Sequence, residues 1–458
     1  MTTLDTDAGG PPPGLIYRAF WRWHFYAGLL ILPVLMLMAL TGGLYLFQPE
    51  LDGLLYRKLL TTPERPIATA PQAWADAAKA AVPGRVMQLT PPARPGLSAR
   101  VIVEPDPGGE RRAVYVDPHD ARVLGDIADG GIMHLVKRLH SLEIAGPVAN
   151  IAVEIAAGWA IVLAATGLFL WWPRGRKGGV VSVRGAPKQR VFWRDLHAVT
   201  GVFAGLVIVF LAVTGMPWSA IWGDQVRKLT NEAGWGRPKA PASAAAWSHG
   251  PDHKPAEGVP WALQEGDMHA GHHAPLHLAS AGLTLDAAVA KVEASGLGRP
   301  YVLSPPREPG KAWSAAYMPD RVEATRTLYL DPGDGKVLAD IGYDRFGPAA
   351  QAIEWGIAVH QGQQFGLINK LVMLAGCIAI WLLAISGIVM WWKRRPTGRL
   401  AAPARPTDAR VYWALSAVVV PLALLYPLVG ASLLAVLALD FIGRAAASAL
   451  RKHREIQA

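Results

Sequence analysis

The chain has 458 residues, of which 52% are hydrophobic and 17% are charged, and its mean hydropathy is +0.22. This composition is too apolar for an ordinary soluble protein of this length, so it indicates several membrane spans. The net charge is +10. Thirteen of the 45 basic residues lie in residues 174–194 and 393–410, beside apolar runs, which argues against nucleic-acid binding. The single cysteine, Cys377, excludes disulfides within the chain and cysteine-based metal clusters.

Five apolar runs are long enough to cross a bilayer core of about 30 Å at about 1.5 Å per residue. They cover residues 20–47, 148–172, 192–220, 367–392 and 411–441. The second and fourth runs end in Trp-Trp pairs followed by Arg and Lys, which is typical of the cytoplasmic interface. The pattern therefore predicts a cytoplasmic N-terminus and places the two long loops, 49–146 and 223–365, on the outer side.

The fifth run has two interpretations. A single crossing would place the basic residues of the C-terminal tail on the outer side, against the positive-inside rule. Pro421 and Pro427 could instead break the run into a shallow hairpin. The sequence leaves this choice open.

The chain repeats itself. In two of the runs a Phe-Trp-Arg motif leads to His24 or His197, and a Thr-Gly pair follows each histidine after 17 residues. The outer loops match at an offset of 214, where each has a Tyr-x-Asp-Pro turn between short β-branched runs, typical of a small α+β module. The second and fourth runs match at an offset of 220, which aligns His140 with His360. One continuous helix from His140 to the end of the second run would exceed the bilayer core, so we expect a break near Gly146-Pro147 and, in the other copy, near Gly366.

These repeats predict a mainly α integral membrane protein. It would have a tandem-duplicated core of four transmembrane helices, a C-terminal hydrophobic segment and two small α+β modules outside the membrane. We divide the chain as follows: a cytoplasmic N-terminus (1–19), a first span (20–47), a first module (49–130), a juxtamembrane helix and second span (131–172), a basic loop (173–191), a third span (192–222), a His/Pro/Ala-rich linker (223–280), a second module (281–345), a juxtamembrane helix and fourth span (346–392), a second basic loop (393–410), a fifth span or hairpin (411–441) and a tail (442–458).

The four repeated histidines are the candidate site. A parallel duplication would place His24 opposite His197 and His140 opposite His360, and two facing imidazoles between helices are what a six-coordinate haem iron needs. We therefore predict two bis-histidine haems, one near each side of the membrane. Arg22 and Arg194 could pair with the propionates. The alternatives are interfacial histidines in an aromatic belt and arginines that serve only as positive-inside anchors.

Other residues carry weaker signals. His134 aligns with Glu354 and so has no histidine counterpart; a surface role, an alternative ligand and a substrate contact all remain open. The Thr-Gly and Ser-Gly pairs in the spans favour close helix packing, or glycines that make room for a ring. A His-rich stretch could hold an extra metal ion or bind metal only loosely; its histidines are His269, His272, His273 and His277.

In these residues the sequence resembles the PepSY-associated transmembrane family of bacterial inner-membrane proteins. The resemblance rests on residues 20–28 and 41–45, on the two Tyr-x-Asp-Pro modules, on Leu139-His140 and on the Trp-Trp-basic helix ends. Some members of the family look like ferric-siderophore reductases with two b-type haems. The resemblance implies that the outer modules are PepSY domains and that His24, His197, His140 and His360 are the haem ligands.

The resulting hypothesis is a multi-pass haem oxidoreductase of the bacterial inner membrane. It would pass electrons outward to a ferric siderophore or another ferric chelate, and its electron donor would be a quinone or a cytoplasmic reductase, because the chain has no nucleotide-binding motif. A haem-free binding or regulatory protein and a metal transporter are the alternatives. Glu154 is the only carboxylate well inside a span, which argues against an ion-coupled pump.

Overall fold

The computed structural model describes residues 13–107, 109–174, 178–236, 238, 241, 282–306, 311–395 and 411–457. Its helices are α1 (Pro13–Tyr45), α2 (Gln48–Leu55), α3 (Arg57–Leu60), α4 (Pro71–Ala81), α5 (Gly131–His140), α6 (Pro147–Trp171), α7 (Arg190–Gly215), α8 (Trp222–Glu232), α9 (Leu285–Ala294), α10 (Pro348–His360), α11 (Gly366–Trp392), α12 (Val411–Leu425) and α13 (Pro427–Gln457). Its strands are β1 (Gly84–Thr90), β2 (Ala99–Pro105), β3 (Arg112–Val116), β4 (Val123–Ala128), β5 (Val302–Ser304), β6 (Trp313–Tyr317), β7 (Arg326–Leu330) and β8 (Val337–Gly342).

The chain forms two compact units. The helical unit contains residues 1–43, 139–223 and 372–458, and the sheet unit contains residues 44–138 and 224–371.

Four helices of the described chain are long and apolar enough to cross a membrane. They cover Gly14–Tyr45, Val148–Trp171, Arg190–Trp218 and Gly366–Trp392. Even the shortest, with 24 residues, rises about 36 Å, which exceeds the thickness of a bilayer core. The prediction of several membrane spans is confirmed, and the protein is a membrane protein.

The fifth apolar run is divided into two helices. Helix α12 ends at Leu425 and α13 begins at Pro427, where a proline is tolerated because its missing N–H would have no partner in a first turn. Pro421, by contrast, lies inside α12 and does not end it. Of the two prolines that the sequence analysis named as possible breaks, only Pro427 marks one.

The core of the helical unit lies around α6. Trp159 of α6 donates its indole N–H to Ser432 of α13 at 2.9 Å, and the Phe169 ring stacks on Phe20 of α1 at 4.0 Å between centroids. Small residues on the same helix, such as Ala156 and Ala160, are almost fully buried. Helix α6 can therefore approach its neighbours closely, as small residues permit in membrane proteins.

Two helices that end in histidine come shortly before spans. Helix α5 ends at His140, and Gly146 then takes a positive φ of 94° before Pro147 begins α6. Helix α10 ends at His360, and Gly366 has a positive φ of 60° at the start of α11. Both breaks are at the glycines where the sequence predicts them, because a left-handed backbone strongly favours glycine.

The sheet unit contains one antiparallel sheet of eight strands, in the order β4-β3-β2-β1-β5-β6-β7-β8. Alternate side chains from one face of this sheet pack against helices α4 and α9. The main members of this core are Trp74, Ala78, Val101, Val114, Ala288, Val292, Leu303, Ala315 and Leu328. The sequence predicts two separate modules, and it does not reveal that their strands join in one sheet.

The two halves of this sheet meet at equivalent positions. Leu89 of β1 pairs with Leu303 of β5, and the Gln72 N–H donates to the Asp286 carboxylate at 2.8 Å; both pairs are 214 residues apart. Cross-strand ion pairs also recur at this offset, Arg112 with Asp126 and Arg326 with Asp340. A residue that pairs antiparallel with its own counterpart is what a local two-fold axis requires.

The segment after the third span differs from the sequence prediction of a linker that begins at residue 223. Residues 222–232 form α8, and the carbonyl of Trp235 then accepts hydrogen bonds from Ala349 and Ala350 at the start of α10. The Ala, Pro and His content of the later residues obscures this short polar helix. Residues 242–281 lie outside the described residues.

We expect Gly158→Ala to destabilise the protein by about 1–3 kcal/mol, as overpacking typically does. A Cβ atom at Gly158 would lie 2.3 Å from a methyl group of Val429, which is fully buried on α13. Gly205→Ala is the matched control, because a Cβ there meets nothing within 4 Å and alanine favours a helix. Thermal unfolding in detergent measures both, and equal midpoints would contradict this account of the packing.

Candidate functional site: two facing histidines in the helical unit

His24 on α1 and His197 on α7 lie next to each other. Their ring centroids are 6.3 Å apart, and the ring planes are nearly perpendicular, at 86°. The two residues are 173 positions apart in the chain and come together only because α1 and α7 are neighbours in the helical unit. The predicted pairing of these two histidines is therefore present in the geometry.

Each of these rings is held through its Nδ1 atom by a hydroxyl on another span. His24 Nδ1 lies 2.9 Å from Thr166 Oγ1 on α6. His197 Nδ1 lies 3.0 Å from Ser386 Oγ on α11 and 3.1 Å from the Leu383 carbonyl. Four helices therefore position two imidazoles.

The hydroxyls determine which nitrogen carries the proton. Thr166 donates its only hydroxyl proton to the Val162 carbonyl at 2.8 Å, and Ser386 donates to the Leu382 carbonyl at 2.6 Å. A hydroxyl that has donated its proton can only accept from an imidazole, so Nδ1 of each ring is the donor. The Nε2 atom of each neutral ring consequently carries a lone pair.

The spacing of the rings suits one metal ion between them. A metal lies about 2.0 Å from an imidazole nitrogen, and that nitrogen lies roughly 1.1 Å from its ring centroid, so two rings on opposite sides of one ion have centroids about 6 Å apart. The observed 6.3 Å agrees with this value. In the described part of the chain neither Nε2 has a hydrogen-bond partner. In donor type, tautomer and spacing, the residues fit a bis-imidazole iron porphyrin.

Glycines next to the hydroxyls make room for the rings. A Cβ atom at Gly167 would lie 3.2 Å from His24 Cε1, and one at Gly387 would lie 3.7 Å from His197 Cε1. The Thr-Gly and Ser-Gly pairs therefore contact the histidines directly. Sequence reasoning favoured helix packing for these pairs, and the 17-residue spacing from histidine to threonine could not reveal the partner, which lies on a different helix.

His140 is held in the same way. Its Nδ1 lies 3.0 Å from Thr41 Oγ1 on α1, and Thr41 donates to the Leu37 carbonyl at 2.7 Å. Gly42 again leaves space, since a Cβ there would lie 3.2 Å from His140 Cε1. Burial lowers the pKa of His140, which keeps the ring neutral. His140 therefore also presents an Nε2 lone pair.

His360 ends α10 in the sheet unit. Its predicted pairing with His140 stays a prediction. Thr214, the sequence counterpart of Thr41, makes the same bond to its own helix, to the Phe210 carbonyl at 2.6 Å.

The two arginines of the repeated motif have protein partners. The Arg22 guanidinium lies over the Tyr26 ring, 5.0 Å from its centroid. Arg194 donates to Asp195, and so does Arg184 from the loop before α7, at 2.8 Å. Asp195 is 1% exposed and was missed by the sequence analysis. Its position two residues before His197 in the repeated motif was the available signal.

The remaining candidates lie elsewhere. His134 is in the first turns of α5, in the sheet unit. The possible extra metal site of His269, His272, His273 and His277 lies outside the described residues. Among the described residues, no group of three or more His, Cys, Asp or Glu side chains could hold a metal ion.

Glu154 is the buried carboxylate of the second span, 2% exposed. It accepts hydrogen bonds from the backbone N–H groups of Ile221 at 3.0 Å and Trp222 at 3.2 Å. These donors lie at the start of α8, where N–H groups have no partner within the helix. A structural role as a helix cap accounts for Glu154.

Comparison with protein-family profiles identifies the family of the chain. The profile described as "PepSY-associated TM region" matches residues 21–394. The chain belongs to this family. The match extends from the first span to the end of the fourth, so it includes all four repeated histidines. No curated protein matches the chain.

We expect Glu154→Ala to destabilise the protein by about 1–3 kcal/mol, because the backbone N–H groups of Ile221 and Trp222 lose their acceptor. Glu154→Gln keeps one amide oxygen as an acceptor and should cost less. Glu143→Ala, at an exposed position before α6, is the control and should have almost no effect. The midpoints of thermal unfolding in detergent rank the three variants by stability. A wild-type midpoint for Glu154→Ala would contradict the capping role.

Proposed function

We propose that this protein is a transmembrane haem oxidoreductase that passes electrons outward to a ferric chelate, such as a ferric siderophore. The observation that carries the proposal is the pair of neutral imidazoles, His24 and His197, at 6.3 Å with both Nδ1 atoms occupied by acceptors. A lone imidazole in a span is commonly an interfacial residue. Two rings of the same tautomer, spaced as for the ligation of one ion, favour ligation over that role.

The residues would act as follows. His24 and His197 would hold one haem b through Nε2, and His140 and His360 would hold the second. An iron porphyrin supplies reversible one-electron transfer when it is bound. Thr166 and Ser386 keep the ligating rings neutral and oriented, and the apolar side chains beside His24, which include Ala27, Trp159 and Val162, limit the access of water.

The reaction is an electron transfer without bond exchange to the protein. One electron from a quinol or a cytoplasmic reductase reduces one Fe(III) of the chelate to Fe(II). A chelator with hard oxygen ligands matches Fe(II) less well than Fe(III), so reduction favours release of the metal. No general acid or base is required, which agrees with the structural roles of Glu154 and Asp195.

The proposed orientation places the N-terminus in the cytoplasm of a bacterium and the protein in its inner membrane. Basic residues support one common cytoplasmic end for α1 and α11. The Arg394 guanidinium lies 3.8 Å from the centroid of Trp21, and that of Arg395 lies 3.6 Å from the centroid of Trp392. Lys393 also donates to the Lys188 carbonyl in the basic loop before α7. This cluster follows the positive-inside rule.

We also propose that the chain is a tandem duplication with two PepSY modules on the outer side. The equivalent pairs Leu89–Leu303 and Gln72–Asp286 support this reading of the sheet unit. In the helical unit, the same hydroxyl–imidazole arrangement at His24 and His197 supports it.

The proposal is tested in vesicles that contain the purified protein and a trapped, membrane-impermeant reductant. A ferric trihydroxamate and a ferrous-specific chelator are supplied outside. We expect the wild type to carry about two haems per chain and to reduce the external iron. His24→Ala and His197→Ala should each lose one haem per chain, and the rate should fall at least tenfold. His119→Ala, at an exposed turn of the sheet unit, is the control and should match the wild type.

Two results would contradict the proposal. Wild-type protein that binds haem but leaves the external iron oxidised would exclude the reductase activity. Protein produced with ample haem that contains none would exclude the cofactor as well, and would favour a haem-free binding or regulatory protein.

A further inference from the structure

The hydroxyl oxygens beside the histidines accept a hydrogen bond from Nδ1, which ligation of a metal through Nε2 does not by itself require. In each of the three arrangements a threonine or serine has donated its proton to its own helix and accepts from Nδ1. A ligand could be oriented by packing alone. An acceptor at Nδ1 does more, because it draws the Nδ1 proton away and makes Nε2 a stronger electron donor to a metal.

We propose that Thr166, Ser386 and Thr41 are positioning residues that lower the reduction potentials of the haem sites, and that each residue acts on one ligand. This inference rests on the proposed function. A stronger donor stabilises Fe(III) relative to Fe(II), so the hydroxyls favour delivery of the electron to the next acceptor. Second-shell hydrogen bonding of this kind is a recognised means of tuning a metal site.

The two ligands of the first site are not equivalent. His24 has a single acceptor, Thr166 Oγ1 at 2.9 Å. His197 has two, Ser386 Oγ at 3.0 Å and the Leu383 carbonyl at 3.1 Å. Loss of the serine hydroxyl leaves the carbonyl in place, whereas loss of the threonine hydroxyl leaves the His24 Nδ1–H without an acceptor. The effect on potential should therefore be larger for Thr166 than for Ser386.

The sites should also respond separately. Thr166 and Ser386 act on the pair His24–His197, whereas Thr41 acts on His140. Substitutions at the first two positions should shift the same one-electron step of a redox titration, and a substitution at Thr41 should shift the other step.

The experiment is a spectroscopic redox titration of the purified, haem-loaded protein. We expect Thr166→Val to raise one midpoint by about 59 mV, which corresponds to a tenfold change in the ratio of ferric to ferrous haem for one electron. Ser386→Ala should raise the same midpoint by less, and Thr41→Val should raise the other. Thr166→Ser keeps the hydroxyl and should restore the wild-type potential.

Thr230→Val is the matched control. The Thr230 hydroxyl also donates to a carbonyl of its own helix, that of Val226 in α8, at 2.8 Å. Its substitution removes an equivalent hydrogen bond far from the histidines in sequence. Both haem midpoints should therefore stay unchanged. If Thr166→Val does not fold, Thr166→Ala removes the same hydroxyl and carries the test.

Several outcomes would overturn the inference while leaving the proposed function intact. They are unchanged midpoints in a haem-loaded Thr166→Val protein, a shift in Thr166→Ser as large as in Thr166→Val, or a larger shift for Ser386→Ala than for Thr166→Val. Absence of haem from the wild type would instead remove the proposed function itself. The two failures are therefore distinguishable.

Discussion

The candidate site depends on where each threonine or serine donates its single hydroxyl proton. Threonine or serine inside a span commonly donates to the carbonyl one turn earlier, as Thr41, Thr166 and Ser386 do. Once that proton is used, the oxygen can only accept, so an imidazole that approaches it must be protonated at Nδ1. The cost of a charge between membrane spans then favours the neutral ring, whose lone pair is on Nε2. The tautomer, the direction of Nε2 and the low cost of a histidine between membrane spans all follow from this one interaction.

Two buried carboxylates of the helical unit are also stabilised by hydrogen-bond donors of the protein. Glu154 is compensated by two backbone N–H groups, and Asp195 by the guanidinium groups of Arg184 and Arg194. A buried carboxylate without such partners would be costly in a membrane protein. Both carboxylates therefore have a structural partner set. His24 and His197 differ from them, because in the described part of the chain the Nε2 atom of each ring has no hydrogen-bond partner.

Much of the fold could be predicted from the sequence. Length and hydropathy located the four spans, since a membrane-length apolar helix has few alternatives. Gly146 and Gly366 marked the breaks before α6 and α11, because a positive φ favours glycine. The division of the fifth run was not decided, since Pro421 and Pro427 look alike in sequence and only the second begins a helix. The joined sheet was also missed, because strand pairing between Leu89 and Leu303 depends on contacts over 214 residues.

For the candidate site, spacing found the histidines but not their partners. Internal repetition indicated His24 and His197, and the expectation of a parallel arrangement of the repeats predicted that the two residues lie together, as they do. Thr166 is 142 residues from His24, and no local pattern links the two. Asp195 was missed because Arg194 was assigned to a haem propionate or to the cytoplasmic interface, and neither interpretation requires a carboxylate of the protein beside it. The pairing of His140 with His360 remains a prediction from the repeat.

The most direct measurement of the central claim is electron paramagnetic resonance of the air-oxidised, haem-loaded protein. Imidazole planes at 86° make the two iron orbitals that bond to them nearly equal in energy, which produces a strongly anisotropic low-spin ferric signal. The account predicts such a signal in the wild type and its loss in His24→Ala. A high-spin ferric signal that is unaffected by His24→Ala, or no ferric haem signal at all, would contradict it.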